Sequence, residues 1–179
     1  MDQQFELKIV NQHWIGSPRK DLCSHGEIHL KVNDTIITHS GIEEVWGLSE
    51  SALSLLRTIE KEYISDPMNG EGLILHGCGL LLMVSCPISI HWTVKHIGDQ
   101  VELSDFVKVE TTNPETGSIY YPGLIVTLNH ADYKNKILYF ARQAKNFFEE
   151  SDTKIIVDDY DKEMYQEFWD EFNRRLMEP

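Results

Sequence analysis

The chain lacks every short pattern that announces a reaction. It has no Gly-rich phosphate loop, no Gly-x-Ser-x-Gly elbow, no His-Glu-x-x-His helix and no EF-hand loop. Nucleotide, serine-hydrolase, zincin and calcium-sensor chemistry therefore have no sequence support. No apolar run nears the roughly 18–20 residues of a membrane span. The longest, Gly79 to Val84, is the size of a strand. The opening MDQQFELK lacks the basic-then-apolar order of a signal peptide, so a cytosolic protein is expected. Cysteine is scarce, with three in 179 residues at Cys23, Cys78 and Cys86. An odd count cannot close entirely into intramolecular disulfides, which fits a reducing compartment. Basic residues are also few, 16 against 29 acids, giving a net charge of −13. Such a surface repels phosphate backbones and anionic lipid, so neither nucleic acid nor membrane is expected as a partner.

What is present is an ordinary globular mixture, 41% hydrophobic and 25% charged, at a length suited to one domain spanning 1–179. Phe5, Leu7 and Ile9 alternate with polar residues and read as a half-buried strand. Glu27 to Ser40 reads as a hairpin turning at Asn33-Asp34; in that register His29 faces Thr38 and His39 faces Ile28. A first helix is expected from Glu50 to Tyr63, capped by Ser49, with Ala52, Leu55, Leu56, Ile59 and Tyr63 on one stripe. Strands are expected at Leu73–Leu75, Leu80–Cys86, Ile88–His96, Val101–Glu110 and Leu124–Leu128, and a loop at Thr111–Ser118. A Gly98-Asp99 turn sets Val94 opposite Leu103 and Lys95 opposite Glu102. Continued unbroken, that register also sets Ile88 opposite Val109, and an unexplained acid, Asp105, opposite Trp92. A second helix follows from Ala131 to Glu149 with Asn129 as its cap, and a third from Tyr160 to Met177. These elements predict an α+β fold: a mainly antiparallel sheet, with the two C-terminal helices packed on one face.

Two groups of residues stand out chemically. The first is thiol and imidazole: Cys23 and His25 in one loop, His76 and Cys78 beside glycines. A nucleophilic cysteine needs an adjacent base, and zinc needs about four convergent ligands. The spacing matches neither a compact zinc pattern nor a known cysteine-enzyme signature, so no metal and no cofactor is expected. His91 and His96 fall on opposite faces of one strand, with His91 on the more polar side. The second group is electrostatic. Residues 149 to 171 hold ten acids and two bases, more than half of the chain's excess negative charge. Within them Glu163, Glu167, Asp170 and Glu171 lie off the Met164–Phe168–Phe172 stripe of the third helix, where they can pair with Lys and Arg of a partner.

Three stretches, Asp21 to Val32, Cys86 to His96 and Phe168 to Arg175, together resemble a group of short uncharacterised proteins from bacilli and related Gram-positive bacteria. The resemblance covers most of the chain, but the group supplies no activity to carry over. The leading expectation is a non-enzymatic acidic protein that recognises a basic protein or peptide, similar to immunity proteins in charge and size alone. A thiol- or metal-dependent enzyme using the Cys and His residues is the alternative. A third is a self-associating structural protein, a homo-oligomer with Phe168 and Trp169 as its interface.

Overall fold

The computed structural model describes residues 4–77 and 86–177. The strand expected at Leu80–Cys86, and Cys78 with it, lie outside the described residues, apart from Cys86 itself. In chain order the elements are β1 (Phe5–Ile9), β2 (His25–Gly26), β3 (Ile28–Val32), β4 (Thr35–Thr38), β5 (Trp46–Gly47), α1 (Leu48–Arg57), β6 (Ile74–His76), β7 (Ser89–Ile97), β8 (Gln100–Val109), α2 (Pro114–Gly117), β9 (Ser118–Tyr120), β10 (Val126–Asn129), α3 (His130–Glu149) and α4 (Asp159–Met177). The architecture is α+β. One sheet runs β1-β3-β4; a second runs β10-β8-β7-β6-β5-β2, with β9 also paired to β8. Every strand pair among the described residues is antiparallel.

The core forms where the two sheets meet the helices. Phe5 of β1 packs its ring edge-on against Trp92 of β7 at 6.1 Å and lies 6.5 Å from Tyr133 of α3. Both long helices take the expected faces. On α3, Tyr133, Ile137, Phe140, Ala141 and Ala144 are buried, and Asn129 caps it by accepting from the Ala131 amide at 2.9 Å. On α4, Phe168 and Phe172 are buried, while Asp158 accepts from the amides of Tyr160 and Asp161 at the other end of the same chain stretch. Acids in its first turn and Arg174 and Arg175 in its last complement the helix dipole.

Several local expectations need correction. Helix α1 ends at Arg57, not Tyr63, because Tyr63 leaves the helix to form a bridge with Val94 of β7. Its N-cap is Gly47 rather than Ser49. Ser49 lies inside the first turn, where its hydroxyl accepts from the Ser24 amide at 3.1 Å. The hairpin of β3 and β4 slips by one residue after Lys31–Ile36, so Leu30, not His29, faces Thr38. The loop expected at Thr111–Ser118 contains the short α2, and Ser118 already belongs to β9.

The β7–β8 hairpin begins in the expected register, with Ile97 on Gln100, Lys95 on Glu102 and Val94 on Leu103. It then shifts between His91 and Thr93, so that Ser89 faces Val109 and Ile90 faces Lys108. A bulge at Asp105, whose φ is 52°, absorbs the extra residue. It turns the Asp105 carboxylate out to solvent and lets Phe106 stack on Trp92 at 5.8 Å. The acid that seemed to oppose Trp92 is the residue that leaves the ladder. Asp tolerates a left-handed backbone better than most residues, and a β-branched one does not. Asp105→Val is therefore expected to cost about 1–2 kcal/mol, with Asp105→Gly close to the parent. Urea denaturation of both variants checks this; equal losses would show that φ is not the constraint.

His91 is completely buried, on a strand face read from the sequence as polar. Its two ring nitrogens are satisfied, by the Tyr63 hydroxyl at 2.9 Å and the Ser89 hydroxyl at 2.8 Å. Burial pushes this imidazole down to about 4.

Candidate functional site

The acidic surface is carried by α4. Helical spacing divides its circumference into three zones. Phe168 and Phe172 face the core. Tyr165, Gln166, Trp169 and Asn173 line a cleft of about 270 Å³, closed on the α3 side by Lys145, Phe148 and Glu149. Asp170, Glu163 and Glu167 form the next stripe, fully outside, and Gln166 joins it to the cleft by donating to Asp170 at 2.7 Å. Among the described residues Glu163 and Glu167 make no ion pair.

Glu171 is placed differently. It accepts two bonds from the Arg57 guanidinium, at 2.8 and 2.7 Å, and a third from Arg175 at 2.8 Å. The Arg57 guanidinium beside it, then Arg175, hold its carboxyl down to about 2. Arg175 also reaches Glu60 at 2.8 Å. This network fastens α4 to α1, so Glu171 is committed within the fold, and three of the four expected partner-facing carboxylates remain open to solvent. Phe168, expected at a self-association surface, is 2% exposed and belongs to the core; Trp169 alone reaches the cleft.

The cleft floor continues into an aromatic cluster that the sequence did not reveal. Trp14, from the loop before β2, packs on Phe147 at 4.7 Å and Phe148 at 4.8 Å, and Phe148 packs on Trp169 at 4.7 Å. The Lys154 ammonium sits 3.3 Å from the centre of the Trp14 ring and 5.1 Å from that of Phe148. The negative face of an aromatic ring attracts a cation at this range. Desolvation nevertheless pushes Lys154 down to about 8, because burial disfavours its charge. The aromatics come from three separate segments: Trp14 from a loop, Phe147 and Phe148 from α3, and Trp169 from α4.

Of the thiol and imidazole residues, His25 and His76 come together, but not as part of a catalytic set. Strand β5 bridges β2 and β6, which brings His25 near His76. His25 is wholly buried, and its Nε2 stands 3.4 Å from Asp21 Oδ2. Asp21 in turn accepts from the amides of Ile15 at 2.9 Å, Gly16 at 3.3 Å and Cys23 at 3.2 Å. A side-chain carbon at position 77 would lie 2.8 Å from His25 Nδ1, so only glycine fits there. Burial holds this imidazole below its usual value, against the pull of Asp21. Cys23 is 1% exposed, and burial, with Glu50 and Asp21 beside it, drives its thiol far above the ordinary range. A thiol kept protonated and dry is a poor nucleophile. Its neighbour Glu50 is pushed up to about 7 by burial, despite bonds from Cys23 and Ser49. Among the described residues no three His, Cys, Asp or Glu side chains converge as a ligand set for a metal ion.

One pairing escaped the sequence reading. Cys86 Sγ lies 3.5 Å from His76 Nδ1. The His76 amide donates to the Ile88 carbonyl at 3.2 Å, and that contact returns the chain beside itself after twelve residues. Gly77 and Pro87, flanking the two, were the available signal. No helix among the described residues is long and apolar enough to cross a membrane.

Compared with known proteins, the chain matches no family model, no curated protein and no solved structure at a significant level.

Proposed function

We propose that the protein is a binding module that docks a basic protein or peptide segment along α4, with a Lys or Arg side chain of the partner entering the α3–α4 cleft. The observation that carries this reading is the adjacency of two features: an aromatic cleft lined by Phe148, Tyr165 and Trp169, and a stripe of solvated carboxylates, Asp170, Glu163 and Glu167, along its rim. Aromatic faces take up the stem and charge of a basic side chain, and the stripe speeds encounter and sets orientation. Lys154 on Trp14 is an intramolecular instance of the same contact in the same cluster. No activity is needed for this role, and Cys23, sealed and protonated, does not supply one.

The test is stopped-flow association of a fluorescent Lys/Arg-rich decapeptide. Replacing Glu163, Glu167 and Asp170 together with Lys is expected to slow association roughly tenfold or more at low salt and to flatten its salt dependence. Glu171 is left in place, because its removal would loosen α4. A second variant carries Lys at three exposed acids away from the cleft, Asp34, Glu115 and Asp132. It has the same net charge and is expected to keep most of the parent rate. Equal slowing in both variants would reduce the effect to overall charge and remove the docking site.

A further inference from the structure

Independently of the α4 surface, the pairing of Cys86 with His76 has chemical consequences. Among the described residues the two free thiols are in opposite situations. Cys23 is sealed, whereas Cys86 is only partly buried and has an imidazole nitrogen at hydrogen-bonding distance from its sulfur. Geometry of this kind, a thiol touching a base, is what an activated sulfur nucleophile requires. His76 also lines a cleft of about 180 Å³, shared with Glu43, Glu44, Trp46, Lys108 and Glu110. That volume admits a small molecule. Three carboxylates face a single ammonium there, and Lys108 is already held by Glu44 and by Glu110 at 3.4 Å. The approach to His76 is therefore electronegative, and it favours neutral reagents over anionic ones.

We infer that Cys86 is a modification site for small neutral electrophiles, with His76 as the base that activates its thiol. In the reaction the S–H proton passes to Nδ1 of His76 as a sulfur lone pair forms the new bond. With iodoacetamide as the electrophile, an S–C bond forms at the methylene carbon. Iodide leaves with the electron pair of the broken C–I bond, and the proton stays on the imidazole until solvent takes it. Cys86 is the reacting group and His76 touches its sulfur, so His76 acts directly.

Timed labelling of the full chain with iodoacetamide at pH 7 tests this, with fragment-ion mapping to separate Cys86 from Cys78, which share a tryptic peptide. Cys86 is expected to react about tenfold faster than the neutral reference thiol N-acetylcysteine amide, although it is less exposed. His76→Gln is expected to remove about tenfold of that rate, and added imidazole to restore part of it, which a merely structural loss would not allow. If His76→Gln does not fold, the wild-type protein still decides: its preference for iodoacetamide over anionic iodoacetate is expected to exceed that of the reference thiol by roughly threefold. A Cys86 rate at or below the reference overturns the inference. So does an unchanged rate in folded His76→Gln, or a reagent preference equal to that of the reference.

Discussion

Phe172→Ala is expected to cost about 3–5 kcal/mol, the largest loss from any single truncation on α4. Phe172 is fully buried, and its ring lies 4.9 Å from Trp169 and 6.0 Å from Phe168. Removing it deletes apolar burial and leaves a cavity that the surrounding helices cannot close, since α4 is also held by the Arg57–Glu171–Arg175–Glu60 network. The side chain that fixes α4 also fixes the carboxylate stripe and one wall of the cleft. The variant should therefore bind the basic decapeptide more weakly as well. Urea unfolding followed by far-UV circular dichroism reads the stability. A loss under about 1 kcal/mol would mean that α4 is not anchored through this residue.

Glu50→Gln is expected to stabilise the protein at pH 8 by an amount on the order of 3 kcal/mol, and by almost nothing at pH 4. Glu50 sits in the first turn of α1, buried against Cys23 and Ser49. Burial raises its folded value to about 7 from 4.5, so the fold prefers the protonated carboxyl. The native state then binds more protons than the unfolded chain between those two values. Stability is fully present below pH 4.5 and is lost as pH rises through 7. Glutamine mimics the neutral acid at every pH and removes that loss. The wild-type profile alone would mislead, because His91 works against it. Its folded value near 4, below the ordinary 6.5, means that falling pH destabilises the fold across nearly the same window. Only the difference between Glu50→Gln and the parent isolates the carboxyl. A difference that stays constant from pH 4 to pH 8 would show that Glu50 does not titrate across this range. Cys23 provides a second readout: with the charge at position 50 gone, one of the influences that keep its thiol protonated disappears.

How much was legible in advance differs between the frame and the site. The long helices were read to within a residue, because twenty residues at a 3.6 period with Asn129 at the cap leave one solution. The tight end of the β7–β8 hairpin was equally clear, since a two-residue turn and an opposite-charge pair agree on one register. Its far end was not. Nothing local announces that Asp105 will leave the ladder; the reason is Trp92, which gains a stacked Phe106 in exchange. Tyr63 continues the apolar stripe of α1 on paper and departs from it to pair with Val94, a contact between distant segments.

The surface divided in the same way. The amino-acid sequence by itself determined an acidic chain with its negative charge gathered late, and that Glu163, Glu167 and Asp170 would share a face of one helix. Charge and helical period are properties of the chain alone. Only the tertiary structure decided that Glu171 would be consumed by Arg57, that Trp14, Phe148 and Trp169 would assemble one aromatic floor, and that His76 would meet Cys86 while Cys23 was sealed away. Those outcomes depend on which segments lie side by side. That choice is made by long-range packing, whose energy is shared among many residues and written in no single stretch of the sequence.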